Sequence, residues 1–160
     1  MDICLEAVAS ENYKTIAYDT LKQIVLMRWE YNDDEIDGAV AFMREPPFGF
    51  VSFYVIALRN CGMVIGFAQF FRDEDDNTLW TYGDLEIHND YRKLGIATRI
   101  IERGIQALVQ RCAKKLLTFI DESNKPSAML HEKLCFVRSA NQDINNVYAG
   151  VDRIVYEYTL

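Results

Sequence analysis

Apolar residues recur along the chain with two periods. Asp2 to Ala7 can form a short strand. After Ser10, a candidate N-cap, Ile16, Ala17, Leu21, Ile24 and Val25 repeat at helical spacing and predict a helix that ends in the acidic YNDDE run. A brief second helix, from about Asp37 to Arg44, is stopped by Pro46 and Pro47, since the residue preceding a proline is pushed out of the α region. FVSFYVIAL and MVIGFAQFF, joined at RNCG, are rich in aromatic and β-branched residues and predict an antiparallel hairpin. RDEDDN is a second turn, and TLWTYGDLEIH is another strand. From Gly95 the period changes. Ile96, Ala97, Ile100, Ile101, Ile105, Leu108 and Cys112 share one face, with Arg99, Glu102, Arg103, Gln106 and Gln110 opposite. LLTFI predicts a buried strand. Ser123 and Asn124 are cap candidates, and Pro126 suits the first turn of a helix through SAMLHEKL. Phe136 to Ser139 predicts a strand, NQDINN a polar loop, and RIVYEYTL a last alternating strand. With no repeat, linker or low-complexity tract, residues 1–160 read as a single α+β domain with a mixed sheet.

Composition narrows the function classes. The chain has 160 residues, is 50% hydrophobic and 26% charged, and its longest uncharged stretch, PPFGFVSFYVIAL, is too short to span a bilayer. The net charge of −7 argues against a nucleic-acid partner. That charge is unevenly placed: residues 1–90 carry a net −11 and residues 91–160 a net +4. Two ligands of opposite sign would produce such a split, and so would solvated faces alone. Cys4, Cys61, Cys112 and Cys135 form no CxxC pair, and no histidine stands at metal-ligand spacing, so no metal is expected and the thiols read as buried and free. The acidic start lacks an apolar signal core, which makes the cytoplasm the expected location.

Candidate chemistry concentrates at YRKLGIATRI. Arg92 and Lys93 fall in a turn, Gly95 at a helix start and Thr98 in the first turn. Free N–H groups at the positive end of a helix dipole, with a glycine that lets backbone approach a ligand, suit a phosphate. Seven basic residues and one acidic residue lie between Arg92 and Lys115. An ordinary strand-to-helix turn with a basic solvated helix would look the same, and neither a P-loop nor a GxGxxG fingerprint occurs.

The wider context resembles a known family. LEIHNDYRKLGIA is similar to the stretch of GNAT N-acetyltransferases in which a central strand runs into an [RQ]xxGx[GA] turn that binds the coenzyme A pyrophosphate; Arg92, Gly95 and Ala97 fill the three defined positions. NKPSAMLHEKLCF is similar to the family's N-x(3)-A-x-x-[YF]-x-x-x-G-F stretch, with Asn124, Ala128, Leu130, Lys133 and Phe136 in register. The order of elements is also the family's. The resemblance implies a mixed, mostly antiparallel central sheet with helices on both faces, splayed between the fourth and fifth strands. It implies acetyl-CoA as co-substrate. The backbone of Arg92, Lys93, Leu94, Gly95, Ile96, Ala97 and Thr98 would cradle the pyrophosphate, Ile87 and His88 would offer backbone hydrogen bonds to the pantetheine arm and the acetyl carbonyl, and Asn124 and Ser127 would face the arm from the other side. His131 stands where the family often has a tyrosine that protonates the departing thiolate. An imidazole can also donate a proton; a half-exposed helix residue is the plain alternative. Cys135, in the place of a glycine, would alter a turn rather than the chemistry.

Amine acetylation needs a base, since a protonated amine cannot attack a thioester. Asp84 and Glu86 alternate with Leu85 and Ile87, so both carboxylates point toward the acceptor side if Leu85 and Ile87 face the core. Solvated strand residues are the alternative. The function implied is direct transfer of acetyl from acetyl-CoA to a primary amine in a ternary complex, with Glu86, Asp84 or a water as base and His131 as acid. The acidic front half favours a cationic amine; neither nucleic acid nor membrane is an expected partner, and a homodimer is compatible. The rivals are a non-catalytic acyl-CoA-binding or regulatory module on the same fold, and a phosphate-binding domain unrelated to coenzyme A.

Overall fold

A computed structural model describes residues 2–47, 49–143 and 153–160. β1 (Ile3–Ala9) leads through a 3₁₀ helix (Ser10–Thr15) to α1 (Tyr18–Arg28) and α2 (Asp33–Arg44). β2 (Ser52–Arg59), β3 (Val64–Arg72) and β4 (Leu79–Ile87) follow, then a 3₁₀ turn (Asn89–Tyr91), α3 (Ile96–Val109), β5 (Lys115–Asp121), α4 (Lys125–Lys133), β6 (Val137–Arg138) and β7 (Arg153–Thr159). The strands form one sheet in the order β1-β2-β3-β4-β5-β7-β6. Every pairing is antiparallel except β4 with β5.

Two elements differ from the pattern-based expectation. Ser10 does not cap one long helix, because its Oγ accepts the Ser52 N–H at 3.3 Å. The chain there forms a 3₁₀ turn that buries Tyr13, whose hydroxyl lies 2.7 Å from Ser52 Oγ, and α1 starts eight residues later. The YNDDE run does not end α1 but opens α2, where Asn32 and Glu35 form a capping box with Glu35 Oε2 accepting the Asn32 N–H at 3.0 Å. Of the NQDINN loop, residues 144–146 lie outside the described residues.

Two apolar clusters sandwich the sheet. One packs α3 against Phe53, Phe70, Trp80 and Tyr82; the other packs α1 and α2 against Tyr54, Ile56 and Phe67. Gly104 lets α3 approach closely, since a Cβ there would stand 2.1 Å from Phe70 Cζ. In an exposed helix a Gly→Ala change gains about 1 kcal/mol. At Gly104 the clash outweighs it, and Gly104→Ala is expected to cost about 2 kcal/mol, a Tm drop of roughly 4 to 8 °C by calorimetry. An unchanged or raised Tm would contradict this packing.

The four cysteines are exposed, not buried as the sequence suggested. Two of them occupy left-handed backbone beyond helix ends, Cys112 at φ 56° after α3 and Cys135 at φ 68° after α4. Cys135 thus keeps the turn that a glycine would make there, with the strain of a Cβ in that region.

Candidate active site

The site is organised by β4, which loses one neighbour halfway along. β4 and β5 pair only from Leu79↔Lys115 to Thr81↔Leu117; beyond that β5 follows β7, while β4 stays with β3 to Ile87. This is the expected splay between the fourth and fifth strands. It leaves the β4 backbone from Tyr82 to Ile87 with an edge that, among the described residues, no strand covers.

A bulge sets which side chains face which way. Phe67 pairs with Glu86 and Gln69 with Gly83, so Asp84 and Leu85 together oppose Ala68, and Asp84 takes φ 55°, a conformation aspartate tolerates better than most residues. Trp80 and Tyr82 face α3 before the bulge, and Leu85 and Ile87 pack on the same cluster after it. The carboxylates are thereby turned to the α1 side, as the sequence reading required. Asp84 Oδ2 accepts from Arg28 Nη2 on α1 at 2.5 Å. Glu86 lacks such a clamp: burial raises its carboxyl above the usual range, Arg92 opposes that shift, Asp84 adds to it, and Arg28 again opposes it.

A groove of about 440 Å³ lies along the vacated edge. Leu85, Glu86 and Ile87 form one side, Tyr91, Arg92, Lys93, Gly95, Ile96, Ala97 and Thr98 one end, and Asn124, Pro126, Ser127 and Leu130 the far side. Nine of the eleven predicted cofactor residues are therefore brought together. Leu94 is not among them, its side chain being turned to solvent. Leu85, Tyr91, Pro126 and Leu130 line the groove although the sequence reading assigned none of them a cofactor-binding role. Leu85 could have been found, because it shares a face with Ile87 along β4.

His88 has a different place. Its N–H donates to Ile65 O at 3.0 Å and is already used, and His88 lines a cleft of about 470 Å³ on the α1 side, with Gln23, Leu26 and Met27, that shares Glu86, Ile87 and Arg92 with the groove. The same bond makes Ile87↔Gly66 a non-hydrogen-bonded pair, so the Ile87 N–H points away from β3 and toward the open edge. Ile87 retains its expected donor; His88 loses its own.

At the end of the groove, Lys93 at φ 61° and Gly95 at φ 75° turn the chain into α3. The first helical bond runs from Arg99 N to Gly95 O at 3.1 Å, which leaves the N–H groups of Ile96, Ala97 and Thr98 without a partner in the helix. Arg92 N donates to Asn89 O at 3.4 Å, so the cradle starts one residue later than expected. A Cβ on Gly95 would meet nothing within 4 Å, which leaves open space against this backbone. The residues thus fit a diphosphate. On the opposite wall Asn124 Oδ1 caps α4 by accepting Ser127 N–H at 3.2 Å, and the Asn124 Nδ2 amide remains for a ligand.

His131 does not face the groove. It is 2% exposed, its ring stacks on Tyr82, and Tyr82 Oη bonds Nε2. Nδ1 lies 2.6 Å from Ser127 O and donates to it, so Nε2 is the acceptor of the Tyr82 hydroxyl. Burial lowers the imidazole pKa, with the Ser127 carbonyl opposing. A neutral ring with both nitrogens engaged has no proton to give a departing thiolate; the expected acid is instead a tie between α4 and β4. Among the described residues no cluster of three or more His, Cys, Asp or Glu side chains could hold a metal, and no helix is long and apolar enough to cross a membrane.

No curated protein matches the chain. Its fold is similar to that of solved structures across its whole length: an acetyltransferase from Streptococcus agalactiae 2603 (TM-score 0.70, 15% identity, covering 99% of this chain and 98% of that one), PaiA N-acetyltransferase from Thermoplasma acidophilum in complex with coenzyme A (0.68, 11%, 100% of both), and an acetyltransferase of the GNAT family from Staphylococcus aureus Mu50 (0.65, 13%, 98% and 99%). The model of the acetyltransferase (GNAT) family matches residues 13–136, which contain β4, the groove and α4. The chain belongs to the GNAT family of acetyltransferases.

Proposed function

We propose that the protein is an acetyl-CoA-dependent N-acetyltransferase that passes the acetyl group directly to a primary amine. The family uses acetyl-CoA; the observation that supports carrying this to the chain is the uncovered β4 edge, which ends at an open helix N-terminus and has the unclamped Glu86 beside it. Bound acetyl-CoA would supply an activated thioester carbonyl. The N–H groups of Lys93, Leu94, Gly95, Ile96, Ala97 and Thr98 hold the diphosphate, with the Arg92 and Lys93 side chains neutralising it. The Ile87 N–H, and Leu85 one step back on the same edge, hydrogen-bond the arm and the carbonyl oxygen, fixed donors that stabilise charge developing there. Asn124 and Ser127 close the far wall.

Glu86 takes the amine proton, directly or through a water, while Asp84 positions Arg28. The amine nitrogen bonds to the acetyl carbon, the carbon–sulfur bond breaks with its electron pair on sulfur, and Glu86 releases the proton to the thiolate or to solvent. With reference thiol values near 8.5 a thiolate leaves near neutral pH without a dedicated acid. None of the exposed cysteines lines the groove, so no acyl-cysteine intermediate is invoked. Initial rates with acetyl-CoA and amine both varied are expected to give intersecting double-reciprocal lines; parallel lines would establish an acyl-enzyme and overturn direct transfer.

The burial of His131 favours one rival, a non-catalytic acyl-CoA-binding module that kept the groove and lost the acid. That rival predicts acetyl-CoA binding with no amine-dependent thiol release.

A further inference from the structure

A second cavity, of about 570 Å³, opens on the α1 and α2 side of the sheet and reaches the Asp84 bulge. Its size lies in the range of ligand pockets, roughly 300 to 1,000 Å³. Its walls are aromatic: Trp29 and Tyr31 meet edge to face at 5.7 Å, and Phe42, Phe50 and Tyr54 complete them. The charged groups that line it are Arg28, Glu35 and Asp84. Glu35 accepts the Asn32 N–H of the capping box, and Asp84 is clamped by Arg28. Trp29 and Phe42 are 41% and 74% exposed, large apolar surfaces at the cavity that a bound ring would cover.

We propose that this cavity is the acceptor pocket and that the acceptor is an arylalkylamine, its ring among Trp29, Phe42 and Tyr54 and its single amine toward Asp84 and Glu86. The proposal rests on the acetyltransferase reading above. A polyamine or an aminoglycoside would bring further ammonium groups into a space whose carboxylates are already engaged, and their lost hydration would go uncompensated. An aromatic ring gains from the same walls by burial and by edge and face contacts. The single ammonium is drawn to the end of the cavity lined by Asp84, two residues along β4 from Glu86, which itself lines the groove and not this cavity. The acidic surplus of the front half of the chain therefore attracts a cation, and the aromatic walls select its body.

The test compares thiol release from acetyl-CoA with 2-phenylethylamine, tryptamine, spermidine and kanamycin as acceptors. The arylalkylamines are expected to exceed the two polycations in kcat/KM by at least about tenfold, the effect of burying one aromatic ring. Phe42→Ala, a change at an exposed position, is expected to raise the KM for 2-phenylethylamine about tenfold and leave the KM for acetyl-CoA as it is. Equal or better turnover of spermidine or kanamycin would overturn the acceptor class and leave acetyl transfer standing, as would an unchanged KM for 2-phenylethylamine in the variant. Release with none of the four, despite acetyl-CoA binding, would overturn both.

Discussion

Glu86→Gln is expected to lower kcat by roughly 10²- to 10⁴-fold, the usual contribution of a positioned base, and to leave acetyl-CoA affinity within about twofold of wild type. The side chain keeps its shape and loses its negative charge and, with it, its ability to take a proton. The pH dependence makes the expectation sharper. The working form is the carboxylate, and burial raises the pH at which Glu86 becomes one, Arg92 and Arg28 opposing and Asp84 assisting. The rate therefore falls as pH drops through a value above the ordinary carboxylate range and recovers as pH rises through it. In the glutamine variant that acidic limb disappears, leaving the ionisation of the acceptor amine. A profile with the same limb in both proteins would move the base to another group. Asp84→Asn is a different perturbation, because it frees Arg28 and disturbs the bulge as well as removing a charge.

Gly95→Asp is expected to weaken coenzyme A binding about a hundredfold by titration calorimetry, close to 3 kcal/mol. Gly95 sits at φ 75°, where most L-residues are strained by about 1 to 2 kcal/mol, and aspartate and asparagine are the side chains that tolerate it best. The fold is therefore retained. The new carboxylate would project into the open space beside the first turn of α3, where the free N–H groups of the helix N-terminus favour negative charge and the diphosphate is proposed to lie. Gly95→Asn is nearly isosteric and neutral, and is expected to cost about tenfold or less. Equal losses in the two variants would show that shape, not charge, governs this turn; no loss in either would place the diphosphate elsewhere.

The turn proposed as the cradle was legible in the sequence because it depends on backbone at a marked spot: Arg92, Gly95 and Ala97 bracket a change from alternating to helical period, and the structure places that change at α3. The orientation of Asp84 and Glu86 was legible only conditionally. Simple alternation from Trp80 would put both on the α3 side, and the bulge that reverses them leaves no period in the sequence. His88 failed as a donor for a related reason. Which N–H groups of a strand face an open edge depends on register against β3, and a single strand carries no record of it. His131 failed because motif position fixes the backbone but not the depth of a side chain; the Tyr82 hydroxyl and Phe136 ring that enclose it come from elements distant in the chain or past the helix end. Ser10 and the YNDDE run were misassigned over a competition between caps: the Ser10 hydroxyl is taken by β2, and Asn32 with Glu35 supplied a start signal inside what read as an end.

Acetyl transfer itself is tested most directly by the product. Incubation of the protein with acetyl-CoA labelled with ¹³C in the acetyl group, together with 2-phenylethylamine, spermidine or kanamycin, is followed by mass spectrometry of the amine and titration of free thiol. The account predicts a labelled N-acetyl amine formed in equal amount to free coenzyme A, both dependent on protein and strongly reduced by Glu86→Gln. Saturable acetyl-CoA binding without labelled amide from any of these acceptors would contradict it.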